Sequence, residues 1–115
     1  MADLEIGVVG PCSAGKSTLI AGLGERGYSA HHIAQEHSMV PDMWKRIDHP
    51  GVLIYLDVSY DVSMHRRPLD MSENEFAEQV NRLRHARRHA DFYIDTDDLS
   101  PKEILKEVES YLENR

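Results

Sequence analysis

The chain has 115 residues, 41% of them hydrophobic and 29% charged, with a formal net charge of -7 and a single cysteine. Such a length suits one compact domain spanning 1–115, and the balance excludes a chain too polar to offset its ordering entropy. The acidic excess argues against wholesale binding of nucleic acid or an anionic membrane, no apolar run exceeds residues 52–56, and lone Cys12 allows no internal disulfide, so a cytoplasmic protein is expected.

Residues 4–9 (LEIGVV) form a short, β-branched apolar run ending at Gly10, as in a buried parallel strand. Over 16–25, Leu19, Ile20 and Leu23 recur at helical spacing, and Gly27 supplies a stop. A weaker strand pattern covers 29–34. Pro41 opens a short helix over 41–47 with Met43, Trp44 and Ile47 pointing inward. Gly51 precedes VLIYL, the strongest strand signal in the chain, which ends at Asp57. Ser59 or Asp61 caps a helix running toward Arg67, and Pro68 closes it. Ser72-x-x-Glu75 is a capping box that predicts a helix to 89, with Phe76, Val80 and Leu83 on one face. A last strand covers 92–94. Ser100-x-x-Glu103 is a second capping box with Pro101 at the first helical position, and Ile104, Leu105, Val108 and Leu112 form the buried stripe. The alternation predicts a three-layer α/β/α domain around a parallel sheet of about four strands.

Gly10-Pro11-Cys12-Ser13-Ala14-Gly15-Lys16-Ser17 matches G-x-x-x-x-G-K-[ST] between a predicted strand and a predicted helix. The four intervening residues let successive N–H groups and the helix N-terminus converge on a phosphate, and the two glycines permit the turn and close approach. Lys16 then reaches the β- and γ-phosphate oxygens, and the Ser17 hydroxyl ligates a bridging Mg²⁺.

These residues resemble the P-loop NTPases, and the chain beyond them resembles the nucleotide-kinase branch of that superfamily, the thymidylate-, shikimate- and adenylate-kinase-like proteins. The resemblance implies the P-loop fold, ATP or GTP with Mg²⁺ as cofactors, and nucleotide binding by Gly10, Pro11, Cys12, Ser13, Ala14, Gly15, Lys16, Ser17 and Thr18. Residues 53–58 with Asp61, Val62, Arg66 and Arg67 look like the branch's strand-plus-helix unit, whose helix ends in lid arginines that meet transition-state charge. The resemblance leaves Asp57 two roles, an acid holding Mg²⁺ through water or the strand-end residue of that unit, and the metal role is the one expected. Residues 92–97 look like the closing strand, whose loop packs near the adenine. The chain is short for this branch: it lacks a middle βα unit and any substantial acceptor-binding or lid insertion.

Gln35-Glu36-His37-Ser38 follows the second strand and emerges at the carboxyl edge of the sheet, where open α/β folds bind ligands. There Glu36 can take a proton from an acceptor, orient a water or ligate Mg²⁺, or it can be a loop residue with no ligand. Trp44, with Met39, Pro41 and Met43, lines an acceptor pocket or joins the core, and a lone tryptophan favours the core. Arg82, Arg84, Arg87 and Arg88 sit at the back of a helix whose front carries Glu73, Glu75 and Glu78, which complements the helix dipole. Of seven histidines, His85 and His89 are one i,i+4 pair without a third ligand, which is no zinc signature. Cys12 is a loop spacer or an oxidisable thiol.

The expected function is Mg²⁺-dependent binding of a purine nucleoside triphosphate and phosphoryl transfer to a small acceptor, with Lys16, Glu36, Arg66 and Arg67 catalytic and Ser17 and Asp57 on the metal. A second subunit in a homodimer would supply cover that the short chain lacks. The rival is a nucleotide-binding module or slow NTPase that acts through a partner protein.

Overall fold

A computed structural model describes residues 4–68 and 70–115, with the backbone alone at 47 and 48. The inward placement expected for Ile47 lies outside the described side chains. Four strands, β1 (Glu5–Val9), β2 (Ser29–His32), β3 (Val52–Asp57) and β4 (Phe92–Asp95), form one parallel sheet in the order β2-β1-β3-β4. The expected α/β architecture is therefore present. Glycine-free and rich in branched residues, β3 is buried at five consecutive positions, as a strand covered on both faces must be.

Side chains alternate between the two faces. Ile6, Val8, Ile54 and Leu56 pack with helices α1 (Lys16–Glu25), through Leu19 and Leu23, and α6 (Pro101–Glu113), through Ile104 and Val108. Val9, Leu53 and Tyr55 face the other way, onto Ile33, Trp44 of α2 (Met43–Asp48), and Leu83 and Ala86. Trp44 is 8% exposed, which settles it in the core, and its indole Nε1–H donates to His85 Nδ1 at 3.1 Å. Burial, reinforced by the neighbouring His89, holds the His85 imidazole below its ordinary range, consistent with this accepting role.

The connection from β1 runs through α1 to β2 on one side, and the chain then crosses β1 to place β3 on the other. The carboxyl ends of β1 and β3 thus flank a topological switch point, the crevice where open α/β sheets bind ligands. Helix α3 (Tyr60–Arg66) follows β3 and ends one residue short of the expected Arg67.

The helix expected to run unbroken to 89 is instead two, α4 (Glu73–Arg82) and α5 (Arg84–His89). No glycine or proline marks the break. The cause is a long-range bond: the side-chain amide of fully buried Gln35 donates to the Arg82 carbonyl at 3.2 Å and to the Val40 carbonyl at 2.9 Å. Redirection there leaves Phe76 in the first core face and brings Leu83 and Ala86 into the second.

Candidate functional site

Residues 10–17 turn sharply from β1 into α1. A Cβ on Gly10 would lie 2.1 Å from the Leu56 carbonyl oxygen, so only glycine lets the loop leave the sheet pressed against the end of β3. Ser13 at φ 65° and Gly15 at φ 100° take left-handed conformations, and the Leu19 amide donates to the Gly15 carbonyl at 3.1 Å to begin α1.

Two helices fasten the tip of this loop. Gln79 of α4 grips Cys12 twice: its Oε1 accepts from the Cys12 amide at 3.1 Å and its Nε2 donates to Sγ at 3.2 Å. The Ser63 hydroxyl of α3 donates to the Cys12 carbonyl at 3.0 Å. Sequence reasoning misses Gln79 and Ser63 as site residues because their partners are distant along the chain; the hint is that each is a buried polar residue on an amphipathic helix.

Inside the loop, Lys16 is 8% exposed. Its ammonium donates to the carbonyl oxygens of Gly10 and Pro11 and to Glu36 Oε2 at 2.8 Å. Glu36 stands on the single 3₁₀ turn Gln35–His37 that follows β2, where the parallel register places it beside the loop. His32 Nε2 lies 3.2 Å and His37 Nε2 3.8 Å from the same oxygen, while Oε1 is buried with no hydrogen-bond partner. Arg82 of α4 also reaches in, donating to the Glu36 carbonyl at 3.4 Å.

Asp57 is placed differently. Its Oδ1 accepts from the Val58 amide at 2.9 Å and its Oδ2 from the Tyr93 hydroxyl, across the β3–β4 pair. Burial and this bond to the carboxylate push the Tyr93 phenol up to about 12. Both Asp57 oxygens are thus hydrogen-bonded, while Glu36 is the acid that bonds Lys16 of the loop.

Arg66 spans the gap between the loop and β4. Its guanidinium donates to the Ser13 carbonyl at 3.2 Å, to Thr96 Oγ1 at 3.0 Å and to the Thr96 carbonyl, and Thr96 Oγ1 in turn donates to the Asp57 carbonyl at 2.7 Å. Two adjoining hollows result. One of about 450 Å³ is lined by Cys12, Lys16, Ser17, Glu36, Arg66 and Arg67, among others. The second, about 310 Å³, lies between Gly15, Thr18 and Leu19 on one side and Leu99, Pro101 and Ile104 on the other, with Arg66 at its rim. Of the remaining arginines, Arg84 donates to the Asn81 carbonyl at 2.7 Å and Arg87 lies over the Tyr93 ring at 4.9 Å, so both serve their own surface.

A four-stranded parallel sheet with helices on its faces and a glycine-framed loop at its switch point defines an α/β fold. A crystal structure of shikimate kinase from Aquifex aeolicus vf5 has this fold: it superposes with a TM-score of 0.61 at 16% sequence identity, covering 96% of this chain and 96% of that one. No family model and no curated protein matches the chain. Among the described residues, no helix is long and apolar enough to cross a membrane.

Proposed function

We propose that the protein binds a purine nucleoside triphosphate, ATP or GTP, with Mg²⁺, and transfers the γ-phosphoryl group to a small hydroxyl-bearing acceptor. The observation that carries this reading is the loop 10–17 itself, curled by left-handed Ser13 and Gly15 into the N-terminus of α1, with Lys16 turned onto a buried acid. Loop amides and Lys16 hold the phosphates. The base enters the smaller hollow, where Leu99, Pro101 and Ile104 offer an apolar wall and the Arg66 guanidinium an edge on which to stack.

The Mg²⁺ fits the oxygens of Ser17 and Glu36 better than Asp57, because the unpartnered, buried Glu36 Oε1 needs a cation or donor and both Asp57 oxygens already accept hydrogen bonds. When bound, it neutralises charge on the phosphate oxygens. Lys16 exchanges its bonds to Gly10, Pro11 and Glu36 for phosphate oxygens. Arg67, at the rim of the larger hollow, meets the charge that spreads over the transferring group, while Arg66 keeps the loop and the base wall together. The acceptor's hydroxyl oxygen bonds to the γ-phosphorus as the bond to the bridging β-phosphate oxygen breaks; the hydroxyl proton passes to water, and the nucleoside diphosphate leaves with the electron pair of the broken bond.

Isothermal titration with ATP or GTP and Mg²⁺ tests the binding half. One nucleotide per chain is expected for the wild type and none for Lys16→Met/Glu36→Gln, whose native Trp44 emission shows that it remains folded. A coupled assay of diphosphate release over nucleosides, nucleotides and small alcohols tests transfer. Release should rise with one class, whereas a slow basal rate unchanged by every acceptor replaces transfer with a nucleotide-binding module read by a partner protein.

A further inference from the structure

We infer that Cys12, Glu36 and His37 form a three-ligand site for a zinc-type divalent cation at the mouth of the phosphate loop, with a fourth position open to water. One ligand atom from each lies within 4.8 Å of the other two. A thiolate, a carboxylate oxygen and an imidazole nitrogen are the donors that Zn²⁺ takes at roughly 2.0–2.3 Å, and three protein ligands with one open position is a common arrangement for it. His37 stands at the surface with its Nε2 3.8 Å from Glu36 Oε2.

A second, independent observation points to a cation. The Glu36 side chain is 3% exposed, Lys16 holds its Oε2, and its Oε1 has no hydrogen-bond partner although no solvent reaches it. Buried oxygens in folded proteins are nearly always satisfied, and an ion taken up by this carboxylate supplies the missing partner. The surroundings orient the other ligands. Gln79 Nε2 donates to Cys12 Sγ at 3.2 Å, the kind of outer bond that steadies a thiolate, and His32 Nε2 lies 3.2 Å from Oε2. The Lys16 ammonium opposes a second positive charge, which makes the site weaker than its donor set alone would give. Sulfur among the ligands selects Zn²⁺ or Co²⁺ over Mg²⁺, which prefers oxygen and keeps its waters. Cys12 and Glu36 are 24 positions apart, so no sequence spacing announces the site. Glu36 is also the carboxylate proposed for Mg²⁺, so the two ions compete there and the zinc-type ion belongs to the nucleotide-free chain.

Titration of the wild-type chain with Co²⁺, and with Zn²⁺ against a chromophoric chelator, tests the proposal. One ion per chain and a near-ultraviolet thiolate-to-cobalt absorption band are expected. Cys12→Ser should abolish the band, and both Cys12→Ser and His37→Gln should weaken Zn²⁺ binding by about tenfold or more. His89→Gln, in the other histidine pair, should leave affinity and band unchanged. Absence of the band in the wild type, undiminished affinity in either Cys12→Ser or His37→Gln, or loss on changing His89 overturns the assignment. Because His37 is exposed, its variant keeps the fold, and Trp44 emission verifies this.

Discussion

The ammonium of a phosphate-loop lysine is expected to stand toward its ligand and away from the core, yet Lys16 is buried against Glu36 at 2.8 Å. That placement changes what its removal does. Taking away one partner of a buried ion pair leaves the other charge uncompensated, which costs about 3 kcal/mol, whereas replacing both with uncharged groups of similar shape is close to neutral. Lys16→Met should therefore lower the urea midpoint clearly, and Lys16→Met/Glu36→Gln should recover most of the loss; equal loss in single and double variants would mean that the pair is not coupled. The same contrast separates what is readable in the sequence from what is not. Gly10, Gly15, Lys16 and Ser17 are legible because the loop's geometry is local and only certain residues satisfy it. The partner of Lys16 lies 20 positions away and is fixed by the pairing of β2 with β1. Asp57 is legible as the acid that ends the strongest strand, whereas its bond from the Tyr93 hydroxyl follows from the pairing of β3 with β4.

Helix beginnings carry their own signals, which is why both capping boxes are found where Ser72-x-x-Glu75 and Ser100-x-x-Glu103 place them. In α6 the Ser100 hydroxyl accepts from the Glu103 amide at 3.1 Å and the Ser100 amide donates to the Glu103 carboxylate at 2.8 Å. These bonds hold the Glu103 carboxyl below the usual carboxylate range, so the stability it lends is present above that range and is lost as pH falls through the lowered value. Ser100→Ala removes the hydroxyl acceptor and should cost about 1 kcal/mol, read as a fall in melting temperature of about 4 °C, while Ser100→Asp, which keeps a capping oxygen, should restore most of it. An alanine variant that melts with the wild type would show that packing of Ile104 and Val108 alone fixes where α6 begins. Helix ends are less legible when another element imposes them. The amide of Gln35 captures the Arg82 carbonyl from 47 residues away, and no residue near 83 foretells the break.

Across the whole molecule, alternation of strands and helices implies a parallel sheet, but the order β2-β1-β3-β4 comes from which strands share faces, a property of the assembled core. The two faces differ in extent: α1 and α6 cover one, and Trp44, Leu83 and Ala86 belong to the other. They are joined through the strands, where Ile54 and Leu56 point to the first and Leu53 and Tyr55 to the second, and through the α4–α5 segment, which sets Phe76 in the first and Leu83 and Ala86 in the second. A cavity on the first face must then be felt by a reporter on the second if the sheet unfolds as one unit. Leu23, fully buried between α1 and the sheet, tests this: Leu23→Ala should cost about 3 kcal/mol in lost burial and residual cavity. Trp44 emission, which reads only the second face, and far-ultraviolet dichroism, which reads every helix, should shift to lower denaturant together and by equal amounts. A Trp44 transition that stays at its wild-type midpoint while the dichroism moves would mean that the α1–α6 layer melts from the sheet by itself. The loop 10–17, which leads into α1 and is held to β3 through Gly10 and to α3 and α4 through Cys12, would then lose its shape with the first face.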